Sequence, residues 1–273
     1  MVRVLKRIVK GVIELVRCTP AQHVVCVPVL RCELLKGRTA LITGGNGGIG
    51  FAIAEACLCA GAKVIISGRD EDKLKASAAK LNNKGDISYI LMDNTNISAF
   101  DNILSGTPPF DILVNNAGYV GGGFFGDTQE SEYDKVMDVN LKSSYFLSES
   151  VSKLWIRNGT KGNILNICSA SSLRPGQSPY ILSKWGLRSL TVGMAKSLIK
   201  YGIVVNGLAP GCTNTRKFSH DGNISNPRNP SGRMVTVEEV ANMAVILVSS
   251  LSRMIVGDVV YMTGGGGITT FDD

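Results

Sequence analysis

Tyr180 and Lys184 stand four residues apart, so on a helix both side chains share one face. A phenol titrates near ~10 in water, too high for proton work at neutral pH, and a neighbouring ammonium favours the phenolate. The pair therefore reads as an acid/base group with its tuning cation. A second concentration of chemistry lies upstream in Thr43-Gly44-Gly45-Asn46-Gly47-Gly48-Ile49-Gly50. Glycines between a strand and a helix let the backbone turn sharply and approach a pyrophosphate, whose charge meets the helix N-terminus. The spacing is G-x-x-x-G-x-G across Gly44, Gly48 and Gly50, unlike the common G-x-G-x-x-G fingerprint.

The elements that must position these groups follow from periodicity. Short apolar runs at Thr39–Thr43, Val64–Ser67, Ile87–Met92, Asp111–Val114, Asn163–Ile167, Ile203–Val205 and Asp258–Met262 read as buried strands. Helical patterns lie between them: Gly48–Ala60, Asp70–Leu81, Glu130–Arg157, Pro179–Lys200 and Val237–Ser249. Strands alternating with helices imply β-α-β units and an α/β, doubly wound parallel sheet of Rossmann-like type. The polar stretch Cys212–Met234, rich in Asn, Gly, Ser and Pro, reads as a loop or lid.

Taken in order, the motifs resemble those of the short-chain dehydrogenase/reductase family. Thr43–Gly50 is similar to its T-G-x-x-x-G-I-G turn, and Asn115-Asn116-Ala117-Gly118 to the motif after its fourth strand. Asn140, Tyr180-x-x-x-Lys184, Asn206 and Pro210-Gly211 with Thr213 and Thr215 follow in sequence, so the resemblance covers residues 37–273. It implies hydride transfer between a nicotinamide dinucleotide and a carbonyl or secondary-alcohol substrate, with Tyr180 and Lys184 catalytic and no metal. It also implies an asparagine, here Asn140, that holds a water beside the lysine, and a serine after the fifth strand that polarises the substrate oxygen. Ser169 best matches that strand end, but it implies a loop shortened by about two residues, and Ser171 and Ser172 are the alternatives. Cofactor contacts are expected from Thr43, Gly44, Asn46, Gly48, Ile49, Gly50, Asn116, Ala117, Gly118, Tyr180 and Lys184. Pro210, Gly211, Thr213 and Thr215 should close over the nicotinamide, and Asp93 and Asn94 should lie near the adenine. The rival readings are a sugar-nucleotide epimerase and a non-catalytic nicotinamide-binding or partner-docking protein on the same fold.

Charge argues which dinucleotide. An acid about twenty residues past the glycine turn would select NAD, but Gly68 occupies that position. Arg69 follows, whose planar fork suits a 2′-phosphate, with Ser67 and Asn46 as neutral donors; NADP is therefore expected over NAD. The resemblance implies that Gly118–Gly126, Leu173–Ser178 and Cys212–Met234 surround the substrate. They mix Phe124, Phe125 and Leu173 with Arg174, Arg216, Lys217 and Arg228, which leaves apolar and anionic substrates both open.

The 273 residues carry a net charge of +7, most of it in residues 1–36. There Arg3, Lys6, Arg7, Lys10, Arg17, Arg31 and Lys36 face only Glu14 and Glu33. The nearly neutral remainder gives no footprint for nucleic acid. Residues 1–36 read as a basic extension and 37–273 as the single domain. Arg3, Arg7, Lys10, Glu14 and Arg17 recur at helical steps opposite Leu5, Ile8, Val12 and Leu15, so the extension reads as an amphipathic helix. Such a helix packs on a subunit or, through residues 1–17, rests on an anionic membrane surface. The seven cysteines form no C-x-x-C, and with only His23 and His220 beside them they suit a reducing, cytoplasmic setting rather than a zinc site. A dimer or tetramer of the chain is the assembly that the resemblance implies.

Overall fold

The computed structural model describes residues 33–215 and 223–267, so the amphipathic helix assigned to residues 1–17 lies outside the described residues, as do Arg216 and Lys217. Seven strands form one parallel sheet: β1 (Thr39–Thr43), β2 (Lys63–Gly68), β3 (Ile87–Leu91), β4 (Ile112–Asn115), β5 (Asn163–Ile167), β6 (Val204–Pro210) and β9 (Val259–Met262). The spatial order is β3-β2-β1-β4-β5-β6-β9, as expected of a doubly wound α/β fold. Order reverses between β1 and β4, and a crevice opens where the chain leaves these two neighbours in opposite directions.

Alternation along the strands feeds two cores. Ala40 and Ile42 of β1, Val64 and Ile66 of β2, and Ile112 and Val114 of β4 point to one face. There α1 (Gly48–Cys59), α2 (Glu71–Leu81) and α7 (Val237–Val248) cover them with Ile53, Leu74, Val240 and Val245. Leu41, Ile65 and Leu113 point to the other face, beneath α3 (Phe100–Gly106), α5 (Ser143–Asn158) and α6 (Pro179–Leu198). Both faces are thus buried, which is why the strands read as continuous apolar runs. Trp155 of α5 is the largest fully buried side chain, and its indole N–H donates to the Phe110 carbonyl at 2.9 Å.

Four local outcomes depart from the pattern reading, the first being α3 itself, which lies where no helix was expected. The helix expected over Glu130–Arg157 is α4 (Glu130–Met137) and α5 joined by a π turn, Asp138–Lys142. The sixth strand runs to Pro210, because buried Asn206 uses its amide to bond the Ile255 carbonyl and the Asp258 N–H and so belongs to the sheet despite its polarity. The Cys212–Met234 stretch begins in a short strand, β7 (Thr213–Asn214), and ends against its parallel partner β8 (Val235–Thr236).

A capping box holds that region down. The Thr236 hydroxyl accepts from Glu239 N–H at 3.1 Å, and Glu239 accepts from Thr236 N–H at 2.9 Å. Arg233 grips the same carboxylate with two donors, at 2.7 and 2.8 Å. The Arg233 hydrogen bond is the main cause holding the Glu239 carboxyl below the usual glutamate range. A lowered native value stabilises the fold above the ordinary glutamate range, and that stabilisation is lost as pH falls through the lowered value. Glu239→Gln should therefore cost about 1 kcal/mol at pH 7. Urea unfolding of both proteins should show the gap closing as the pH is taken into the acid range, and a gap independent of pH would refute the assignment.

Candidate active site

The turn after β1 is built by close approach. Gly44 and Gly48 have φ of +64° and +52°, which side chains rarely adopt. A Cβ on Gly44 would meet the Ala117 Cα at 3.1 Å, and one on Gly50 would collide with the Gly44 carbonyl and the Asn116 amide. Thr43 knits the two loops: its hydroxyl accepts from the N–H groups of Asn116 and Ala117, each at 3.0 Å. The Asn116 amide returns a bond to the Thr43 carbonyl at 2.8 Å. Helix α1 starts at Gly47 with no capping side chain and no acid in its first turn. Such a terminus suits a phosphate.

From this turn a cleft of about 990 Å³ runs over the strand ends, lined by Gly44, Asn46, Arg69, Asp93, Asn94, Asn116, Ala117 and Gly118. Arg69 is exposed at its far end, beside Lys73, a cation the sequence reading did not single out. Nearby Asp70 is already engaged: it caps α2 by accepting from Lys73 N–H at 3.1 Å and pairs with the Lys73 ammonium at 2.7 Å. These bonds hold its carboxyl below the usual aspartate range. Asp93 accepts from the Thr95 N–H and hydroxyl at 2.9 and 2.8 Å, so it caps a turn as well as lining the cleft. Ser67 is not brought to this cleft: its hydroxyl is buried without a partner, while its carbonyl accepts from Gly44 N–H.

A second cleft, of about 770 Å³, continues past Asn116, Gly118 and Tyr119, which line both. Into it open Ile49, Ser169, Ser171, Tyr180, Lys184, Pro210, Gly211, Thr213 and Thr215. Ser178 caps α6 and Pro179 occupies its first turn, so Tyr180 and Lys184 project from a well-started helix. Lys184 is buried, 5% exposed as a residue; its ammonium donates to the Ile167 carbonyl at 2.8 Å and lies 5.9 Å from the Tyr180 ring centre. No described carboxylate pairs with it, so its charge is left for the cleft.

The serine loop sorts itself by geometry. Ser172 is fully buried, donates to the Ser169 carbonyl at 2.7 Å, lies 3.2 Å from the Tyr261 hydroxyl, and does not line the cleft. Ser169 and Ser171 do, with the Ser169 hydroxyl accepting from Ser171 N–H at 3.1 Å. Asn140 lies in the π turn and is fully buried. Its amide holds Tyr119 at both ends, accepting from the N–H at 2.7 Å and donating to the carbonyl at 2.9 Å. A further bond joins it to the Ser183 hydroxyl at 3.0 Å. It packs beside Gly118, as Lys184 does. Tyr119 lies within the Gly118–Gly126 stretch expected around the substrate, though the sequence did not single it out within that stretch. Thr43, Gly48 and Gly50 line neither cleft; Thr43 and Gly50 are buried, and Gly48 is exposed beside Thr215.

Comparison with known proteins agrees with this geometry. The family model described as short chain dehydrogenase matches residues 38–223. A 3-oxoacyl-[acyl-carrier-protein] reductase from Rickettsia bellii is 35% identical over 237 residues, covering 85% of this chain and 97% of its own. A gluconate 5-dehydrogenase from Gluconobacter oxydans is 33% identical over 247 residues, covering 85% and 95%. Among solved structures, a gluconate 5-dehydrogenase from Burkholderia cenocepacia, in complex with NADP and tartrate, superposes with a TM-score of 0.78 at 31% identity, covering 86% of this chain and 97% of that one. Glycine turn, asparagine turn, and the tyrosine and lysine thus sit on the scaffold the relatives share, and the chain belongs to the short-chain dehydrogenase/reductase family of oxidoreductases, which act on CH–OH and C=O groups with a nicotinamide dinucleotide.

Proposed function

We propose that this protein transfers hydride between NADP(H) and a carbonyl or secondary-alcohol substrate, with Ser169, Tyr180 and Lys184 as its catalytic residues. The observation that carries the reading is a pair of adjoining clefts that share Asn116, Gly118 and Tyr119 as wall, one lined by Arg69 and the other by Tyr180 and Lys184. The α1 N-terminus and the Thr43–Gly50 turn would hold the pyrophosphate. Asp93 and Asn94 would hold the adenine side, Ala117 and Gly118 the ribose edge, and Pro210, Gly211, Thr213 and Thr215 the nicotinamide. The bound dinucleotide supplies the hydride for the carbonyl carbon. In the reducing direction Tyr180 donates its phenolic proton to the oxygen of that carbonyl. The Ser169 hydroxyl donates a hydrogen bond to the same oxygen and stabilises charge as it develops. Lys184, anchored by the Ile167 carbonyl, sets a positive charge beside the phenol and donates to a ribose hydroxyl. Asn140 keeps Tyr119 and the π turn in register beside Lys184, and a water held there would link the lysine to solvent.

Arg69 and Asn46 support NADP over NAD, since the position that would carry an acid is Gly68 and the adjacent Asp70 is neutralised by Lys73. Tyr145 and Ile156 on α5, with Leu182, Trp185 and Val192 on α6, are exposed, which supports a homodimer or tetramer assembled on these helices. The scattered free thiols support a cytoplasmic setting. Among the described residues no helix is long and apolar enough to cross a membrane. Residues 1–36 are proposed as an extension to the domain at 37–273, with residues 1–17 as a contact to anionic membrane or to a neighbouring subunit.

Tyr180→Phe should lower turnover roughly a hundredfold or more with NADPH affinity nearly kept, because only the proton donor is lost. A carbonyl panel read by NADPH absorbance tests this, and wild-type turnover would remove the catalytic assignment. In the same assay Ser169→Ala should be severely impaired; if only Ser171→Ala is damaging, the serine roles are exchanged. Fluorescence titration should give NADPH a lower Kd than NADH, with Arg69→Ala weakening NADPH selectively by roughly tenfold. Tighter NADH binding by the wild type would refute the charge argument. Removal of residues 1–30 should spare turnover in solution while abolishing co-sedimentation with anionic vesicles at low salt or changing oligomer size. A truncated protein that matches the full chain in both respects would leave the extension without either role.

A further inference from the structure

The substrate end of the groove has a polarity that the sequence left open. Phe124, Phe125 and Leu173 do not line it; Phe125 is 94% exposed and borders a separate recess with Tyr133 and Leu182. Arg174 and Arg228 do line it, from two different segments of the wall. Both are exposed to the cleft solvent, and no described carboxylate pairs with either guanidinium. Among the described residues no aspartate or glutamate lines this cleft, and the charged side chains that do are Arg174, Arg228 and Lys184, all cationic.

The backbone around the two arginines is held. Trp185 donates its indole N–H to the Arg174 carbonyl at 2.6 Å. Arg228 sits in a turn in which Asn229 N–H bonds the Asn226 carbonyl and the Asn229 amide bonds the Thr263 carbonyl, at 2.9 and 2.8 Å. A held backbone spares the segment part of the ordering cost when its side chain meets an anion. The guanidinium's planar fork also matches a carboxylate's two oxygens.

We infer that Arg174 and Arg228 bind an anionic group of the substrate, so that the carbonyl compound reduced at Tyr180 is an oxo acid whose carboxylate lies toward the Arg174 and Arg228 side of the cleft. This rests on the hydride-transfer reading above and names the substrate class for the same site. The positive wall draws the acid in, and the arginines select it over neutral carbonyls of equal size.

The test uses the full-length protein and straight-chain oxo acids of increasing carbonyl-to-carboxylate spacing, each beside its methyl ester. At the best spacing the acid should exceed its ester in kcat/KM by about tenfold or more, the scale of a charge-assisted hydrogen bond. Arg174→Gln and Arg228→Gln should each raise KM for the acid more than they lower kcat, and narrow the acid-to-ester ratio. Esters that equal the acids, or a ratio neither substitution moves, would overturn the inference while leaving hydride transfer intact. So would a loss of NADP affinity in both variants that accounts for the whole change, because the arginines would then serve the dinucleotide. Calorimetric titration of the NADP-loaded protein with succinate, against its dimethyl ester, separates the two readings. If no carbonyl is reduced but succinate binding depends on both arginines, the anion site stands and hydride transfer falls; succinate binding that is absent or unaffected overturns the site.

Discussion

The contact between the ends of β1 and β4 governs everything above the sheet. Thr43 gives its hydroxyl to two N–H groups of the neighbouring loop, and Asn116 answers with its amide. The exchange works only because Gly44 and Gly50 leave no Cβ in the gap. Neither loop could shift alone without orphaning buried polar groups, at a cost of about 1–3 kcal/mol each. This contact lies where strand order reverses, so the same atoms that close the loops set the floor of the groove. The uncapped N-terminus of α1 and Gly118 take their places from this one approach, and Asn140 and Lys184 pack beside Gly118.

A second constraint is the π turn. One extra residue between α4 and α5 turns Asn140 inward, where its amide spans both backbone groups of Tyr119. A regular helix would leave those groups to find partners elsewhere. The backbone that follows the asparagine turn is thereby tied to the helix facing α6, and Ser183 completes the tie from α6 itself. The residues proposed for proton work stand on elements that are cross-bonded beneath the surface rather than on free loops.

How much of this the sequence disclosed varies with the kind of signal. The strands buried on both faces were legible as apolar runs, and Tyr180 with Lys184 as a helical pair. The motifs taken in order fall on residues that line the two clefts, Asn46, Asn116, Tyr180, Lys184 and Pro210 among them. The far half of β6 was hidden because Asn206, Gly207 and Pro210 interrupt its apolar pattern, although Asn206 is buried and bonded across to the Ile255–Asp258 segment. β7 and β8 are two residues each and carry no period. Within the serine loop, type and spacing alone could not distinguish Ser169 from Ser172; burial and the Tyr261 hydroxyl did. Lys73 and Tyr119 reach the clefts through three-dimensional proximity, for which one-dimensional spacing has no counterpart. Ser67 is the converse: well placed in the chain, yet its hydroxyl is turned into the core.

Tyr119 belongs to the wall of both clefts, with its main chain clasped by Asn140 and its hydroxyl donating to Glu132 at 2.9 Å. Lys135 lies 4.1 Å from the centre of its ring. A wall common to two occupants makes their affinities thermodynamically linked. Whatever free energy the first spends in adjusting that wall is free energy the second is spared or must repay, and the factor is the same in either direction.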